Sequence, residues 1–137
     1  MLRIFSRLSS GLKYTRTHEW LQITSPGLAR LGISKFAQDQ LGEVVYCDFP
    51  AAGAKFDKKA VLCTLESVKA VGEVYCPIQG AIVKSVNEAL KSSPSDLNED
   101  PEGKGWLVEL QFDSKSFNEK ELLDETAYAK IAADAKH

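Results

Sequence analysis

The sequence predicts a mainly β protein, a sandwich or flattened barrel of short strands with short peripheral helices and a helix at the C-terminal end. Three patterns carry that expectation. Val61, Cys63 and Leu65 alternate with Leu62, Thr64 and Glu66, and Val74, Cys76 and Ile78 alternate with Glu73, Tyr75 and Pro77, the two-residue period of strands with unlike faces. Trp106, Val108, Leu110 and Phe112 repeat it against Glu109 and Gln111. From Asn118 the period changes: Asn118 and Glu121 are spaced as an N-cap and its glutamate, and Tyr128, Ile131, Ala132 and Ala135 recur at helical intervals.

The 137 residues, 44% of them hydrophobic, suit one globular domain with a real core. With 17 basic and 19 acidic side chains the net charge is −2, and no basic stripe is present to track a phosphate backbone, which argues against nucleic acid as a partner. No apolar run approaches the roughly 20 residues that a membrane-crossing helix needs, so no membrane association is expected. Cys47, Cys63 and Cys76 are odd in number and far apart, and the histidines are His18 and His137. That spacing fits no metal site, and the cysteines read as buried thiols in a reducing compartment.

Residues 1–10 hold Arg3, Arg7 and three serines but no acid; the first carboxylate is Glu19. The composition is that of a mitochondrial transit peptide, and Ile4, Leu8 and Leu12 would give a short helix there an apolar stripe. An ordinary disordered N-terminus is the simpler alternative. The domain is therefore placed at 11–137.

Tyr14 to Trp20 brackets a polar run with aromatic residues, Trp20 reading as a core anchor and Glu19 as a solvated strand residue. Leu21–Ile23 and Leu28–Ile33 flank Thr24-Ser25-Pro26-Gly27, a first hairpin. Ser34 can cap a short helix whose inward face is Phe36, Ala37 and Leu41 and whose end is Gly42. Val44 to Phe49 returns to strand, and Ala51 to Lys59 reads as a polar connection.

Between the two alternating runs lies Glu66-Ser67-Val68-Lys69-Ala70, which lacks the alternation and suits a hairpin turn. Lys69 would then stand in water at the tip. Taken alone, such a lysine is a solubilising residue that also discourages edge pairing. Pro77-Ile78-Gln79-Gly80 makes the next turn and Ile82 to Val86 the next strand. In the long polar segment Asn87 to Gly105, Ser93-Pro94-Ser95-Asp96 has the form of a capped helical turn, and Gly103-Lys104-Gly105 is a flexible turn, too short for a phosphate loop. No serine, histidine and acid set is spaced as a triad, so no catalytic residue is expected.

The Lys69 segment resembles the lipoyl-attachment motif of the glycine cleavage H proteins. The likeness continues in order through Lys13-Tyr14, His18-Glu19-Trp20, Leu31-Gly32-Ile33, Gln40 to Val45, Pro77 to Gly80, Val86 to Leu90, Leu97 to Pro101 and Gly105-Trp106-Leu107. It implies a lipoyl/biotinyl-type β-sandwich, or flattened hybrid barrel, with lipoate joined covalently to Lys69. The protein would be a non-catalytic carrier without a metal, moving the aminomethyl group of glycine from a pyridoxal-phosphate glycine decarboxylase to a tetrahydrofolate-dependent aminomethyltransferase. A flavin dihydrolipoyl dehydrogenase would reoxidise the arm, all in the mitochondrial matrix.

The resemblance also implies site roles. Glu19 would face the ammonium of the loaded arm. Glu73, where the family often has aspartate, would stand near the arm, while Gly72 occupies a position where serine is common. Glu66 and Ala70 would be read by the lipoate-attaching enzyme. Within the same family the alternative is a depot passing lipoyl groups to other complexes. Biotinyl domains typically flank their lysine with methionines, acyltransferase lipoyl domains usually have Asp-Lys-Ala and further domains, and a Schiff-base enzyme would want a buried lysine.

Overall fold

A computed structural model describes residues 11–115 and 117–135, so the leader expected at 1–10 lies outside the described residues. Nine strands appear among them: β1 Lys13–Tyr14, β2 Glu19–Ser25, β3 Leu28–Ile33, β4 Val44–Asp48, β5 Lys55–Phe56, β6 Val61–Ser67, β7 Val71–Tyr75, β8 Ala81–Val86 and β9 Val108–Gln111. The helices are α1 Lys35–Leu41, α2 Ala89–Ser92, α3 Ser95–Glu99 and α4 Glu125–Ala135, with a 3-10 turn at Glu119–Glu121. The strands form a six-stranded sheet, in the order β1-β2-β3-β9-β8-β5, and a three-stranded sheet, β4-β6-β7. Every strand pair is antiparallel.

The core lies between the sheets. Leu21, Leu31, Val83 and Leu110 of the larger sheet and Cys47, Leu65 and Val74 of the smaller belong to one buried cluster, closed by Leu90, Leu97 and Leu107 from the α2–α3 region and the approach to β9. A second cluster joins Tyr14 and Trp20 to Tyr128 of α4. Tyr14 and Tyr128 stack with ring centroids 4.3 Å apart, and the Trp20 indole N–H donates to the Pro101 carbonyl at 2.8 Å. Gly32 makes room for this ring, since a Cβ there would stand 2.7 Å from Trp20 Nε1.

The expected hairpin at Pro26-Gly27 joins β2 to β3, with Gly27 at φ 76°. Ser34 Oγ accepts from the Ala37 N–H at 3.1 Å and so caps α1, which stops at Gly42, φ 89°. Phe36, Ala37 and Leu41 are only half-buried; the buried residue of α1 is Gln38, whose amide donates to the Gly42 carbonyl at 3.2 Å. All three cysteines are free and buried. No helix among the described residues is long and apolar enough to cross a membrane.

Several local expectations are corrected. In β6 the strict alternation fails: a register shift between Val61 and Cys63 buries Leu62 beside Cys63 and leaves Val61 exposed. A similar shift in β4 turns both Val45 and Tyr46 outward. The polar connection 51–59 contains β5, paired with β8. Pro94, not Ser93, occupies the N-cap of α3 and makes no side-chain cap, while Ser93 Oγ and Ser95 Oγ share a hydrogen bond of 3.0 Å. Asn118 caps only the 3-10 turn, and α4 starts at Glu125, where Asp124 Oδ1 accepts from the Ala127 N–H at 2.8 Å. Between the two, Leu123 pairs with Tyr14 through two backbone bonds of 2.8 and 2.7 Å, which hold the chain extended where helix was expected.

Candidate functional site

The β6–β7 hairpin presents Lys69 at an exposed tip. The turn closes locally: the Ser67 N–H donates to the Ala70 carbonyl at 2.8 Å, and Ser67 Oγ accepts from the Ala70 N–H at 3.0 Å and the Lys69 N–H at 3.3 Å. It is also tied to the loop after α1, because the Val68 N–H donates to the Glu43 carbonyl at 3.2 Å. Ser67 and the Glu43 carbonyl thus satisfy the tip's backbone donors, and no side chain beside the lysine is used for it.

That economy leaves the neighbours free. Val68 is 76% exposed, and Ala70 and Glu66 are also exposed. The Lys69 stem passes Gly42, where a Cβ would come within 3.1 Å of Lys69 Cε. Three residues beyond Lys69, a Cβ at Gly72 would come within 3.2 Å of Leu41 Cδ1, so glycine lets the end of α1 pack close against β7. The missing side chain at 72 is thus what admits its neighbour.

At the opposite end of β7 stands Glu19. The five steps from Ala70 to Tyr75 span roughly 17 Å at about 3.3 Å each. Glu19 is 2% exposed, which overturns its reading as a solvated strand residue. Its Oε1 accepts from the hydroxyls of Thr15 and Thr17, each at 2.5 Å, and its Oε2 accepts from the Tyr75 N–H at 3.1 Å. One carboxylate therefore fastens β2 of the larger sheet to the edge strand of the smaller. Burial raises its pKa above the usual glutamate value, against the opposing pull of these three donors.

Glu19 lines an open hollow of about 540 Å³ with Thr15, Arg16, Lys58, Tyr75, Cys76 and Phe117 among its other walls. Cys76 is a poor nucleophile there: burial raises its pKa and its Sγ–H donates to the Ile78 carbonyl at 3.1 Å. Beside Glu19, His18 adopts φ 75° and its Nδ1 shares a 2.8 Å hydrogen bond with the Tyr128 hydroxyl, which meets Ser34 Oγ at 2.6 Å. Burial lowers the His18 pKa, which favours the neutral ring. The turn before Glu19 is thereby pinned to α4.

The structure does not bring all the sequence-selected residues together. Lys69, Glu66 and Ala70 share the hairpin, Glu19 sits in the hollow, and Glu73 lies between them on the exposed face of β7, outside the hollow. Its Oε1 accepts from the Tyr75 hydroxyl at 3.0 Å, and that bond is the main reason the Tyr75 pKa is raised. Sequence reasoning missed Thr15 and Thr17, although a Thr-x-Thr-x-Glu run sets two hydroxyls within reach of one acid, and it missed the Tyr75 N–H, whose role depends on the pairing of two sheets. Among the described residues no group of three or more His, Cys, Asp or Glu is placed to hold a metal ion.

Comparison with known proteins converges on one family. The family model described as glycine cleavage H-protein matches residues 12–135. A probable glycine cleavage system H protein of Thermococcus kodakarensis is 45% identical over 123 residues, 90% of each chain. The glycine cleavage system H protein of Thermotoga maritima is 46% identical over 121 residues, 88% of this chain and 95% of that one. Among solved structures, a glycine cleavage system H protein from Mycobacterium marinum superposes with a TM-score of 0.78 at 28% identity, covering 93% of this chain and 98% of its own.

Proposed function

The chain belongs to the glycine cleavage H-protein family, and from that premise we propose that it is the lipoyl carrier of a glycine cleavage system, with lipoate in amide linkage to Lys69. The observation that carries the reading is the exposure of Lys69 on a hairpin whose backbone is already satisfied, so an attaching enzyme can seize the tip without unfolding it. Glu66 and Ala70, exposed on either side, are the residues that enzyme would read. Lipoate supplies a dithiolane that accepts an aminomethyl group and is regenerated by oxidation. The chain's own residues position and shield the arm and do no bond chemistry.

Glu19 is the residue proposed to meet the loaded arm. A carboxylate offers roughly four acceptor sites, and three are taken by Thr15, Thr17 and Tyr75, which leaves capacity for one ammonium donor. A cation in a partly apolar hollow needs an opposite charge to offset lost hydration. Glu73 has a weaker claim, because it stands outside the hollow and engages the Tyr75 hydroxyl.

The partners of such a carrier are the pyridoxal-phosphate decarboxylase, the tetrahydrofolate-dependent aminomethyltransferase, the flavin dihydrolipoyl dehydrogenase and the lipoate-attaching enzyme. Tethering keeps the arm at high effective concentration at each. The compartment proposed is the mitochondrial matrix, with 1–10 as a cleaved leader and 11–137 as the mature domain. That proposal rests on Arg3, Arg7 and the missing acids of the first ten residues, since the relatives named above are archaeal and bacterial.

The test is intact mass and peptide mapping of protein purified from its native source, then incubation with decarboxylase and glycine. A lipoyl increment at Lys69 that gains an aminomethyl group is expected, as is loss of labelling by a lipoate ligase in Lys69→Arg. An unmodified Lys69 in an active preparation would sink the reading, while a lipoyl group that never takes up the aminomethyl unit would favour the depot.

A further inference from the structure

Among the described residues, two other than glycine adopt left-handed backbone, His18 at φ 75° and Lys59 at φ 76°. Both belong to the Glu19 hollow: Lys59 is in its wall, and His18 stands between the wall residues Thr17 and Glu19. Such backbone is uncommon outside glycine and persists where the surroundings impose it. At His18 those surroundings are explicit. Its N–H donates to the Thr15 carbonyl at 3.2 Å, its carbonyl accepts from the Ser34 N–H at 2.9 Å, and its ring packs on Phe36 with centroids 4.9 Å apart. The last tie is the bond from Nδ1 to the Tyr128 hydroxyl, which reaches across 110 residues of sequence from α4. Tyr128 is 6% exposed, and its hydroxyl also meets the fully buried Ser34. Stacking on Tyr14 would bury the ring equally well without a hydroxyl, so the hydroxyl is there for His18 and Ser34.

The turn held in this way folds back on itself. The Thr15 N–H donates to the Glu19 carbonyl at 2.9 Å, and the Glu19 N–H to Thr15 Oγ1 at 3.0 Å. Thr15 and Thr17 are thereby set on one oxygen of the Glu19 carboxylate, while the other receives the Tyr75 N–H. Were His18 to relax to negative φ, Thr17 would swing away and the carboxylate would be free to turn. We propose that Tyr128 is a positioning residue for the loaded arm: its hydroxyl, acting through His18, locks the turn that aims the open acceptor site of Glu19 into the hollow. The proposal rests on the reading of Glu19 given above. Aim matters because a charge-assisted hydrogen bond weakens steeply away from its axis. Tyr128 is not in the wall of the hollow and acts only through the residues it holds.

The first measurement is amide hydrogen exchange by NMR on protein without lipoate. The Tyr75 N–H is donated to Glu19 from the edge strand β7, so its exchange rate reports how firmly the carboxylate is held. Tyr128→Phe keeps the ring that stacks on Tyr14, removes the hydroxyl, and is expected to speed this exchange at least about fivefold. Loss of global stability alone would show in the core amides of Leu65 and Leu110 and leave this edge amide, which opens locally, unmoved. The second measurement takes lipoylated protein charged by the decarboxylase and glycine, separates it from that enzyme, and follows the arm by mass. Loss of the aminomethyl group to water breaks the carbon–sulfur bond and takes up one water, giving formaldehyde, ammonium and the free thiol. Tyr128→Phe should quicken that loss about fivefold, Glu19→Gln at least as much, and the double variant no more than Glu19→Gln alone. His18→Ala cuts the same chain at its other end, should give both changes, and serves if Tyr128→Phe does not fold. An unchanged Tyr75 exchange rate in the folded variants overturns the proposal, as do additive effects in the double variant, which would make Tyr128 a support of the fold only. A parent protein that carries no lipoyl group fails the carrier reading, and the exchange measurement, made without lipoate, tells the two failures apart.

Discussion

The two sheets are built from the same kinds of residue and dispose of their outer faces in opposite ways. At its β1–β3 end the six-stranded sheet is covered on both sides: Leu21 and Leu31 face the main core, while Tyr14 and Trp20 face α4 and the Pro101 carbonyl. The consequence shows in β2, where Glu19, Trp20 and Leu21 are buried in succession. The three-stranded sheet is covered on one side, and its other side shows carboxylates, a tyrosine and valines to solvent. One sheet is scaffold and the other is display. Both sheets feed the main core, but only the smaller one keeps an outer face whose residues are not needed for packing.

The contrast can be broken most directly at Trp20. Trp20→Ala removes a ring 1% exposed and its bond to Pro101, and should cost about 3–5 kcal/mol in a denaturant titration. A cost under about 1 kcal/mol would mean that the outer cover of the larger sheet is not structural.

A smaller effect is expected where the sheets are joined. Glu19→Ala strands the Thr15 and Thr17 hydroxyls and the Tyr75 N–H, at about 1–3 kcal/mol. Glu19→Gln keeps an acceptor and adds a pH signature. Burial holds the folded-state pKa above its reference of 4.5, so the parent's contribution from this group is full below that value and is lost as pH rises through the folded pKa. The variant lacks that loss, and its melting temperature relative to the parent should improve as pH rises from about 4.5 through the folded pKa. A flat difference would place the carboxylate in water. The smallest effect belongs to the display face: Val71→Ser should change stability by no more than about 0.5 kcal/mol, and a larger loss would make the face part of the scaffold.

Much of this was legible in the chain. The Lys69 hairpin could be read because Val74, Cys76 and Ile78 keep strict alternation into the core, and α1 because Ser34 and Gly42 act locally on its two ends. What escaped depends on contacts distant in sequence. Leu62 is buried by a register shift that pairing with β7 imposes, and the start of α4 is delayed because Leu123 is claimed by Tyr14. The Glu19 hollow was legible only through family likeness, since a glutamate opening a strand carries no local sign that a second sheet will donate to it. The display face follows from alternation in principle, but the irregular outward pair Val45 and Tyr46 does not.

The ends of the sheets have a bearing on how concentrated this protein can become. A strand with a bare edge is a template on which another copy can extend the sheet. The larger sheet terminates at both sides in strands of two residues, β1 and β5, and β1 is further occupied by its backbone pairing with Leu123. On the smaller sheet the Tyr75 N–H at the β7 edge is spent on Glu19, and the neighbouring Glu73 places a charge in the way. The same glutamate that lines the hollow therefore also withholds a donor from edge-to-edge pairing at β7.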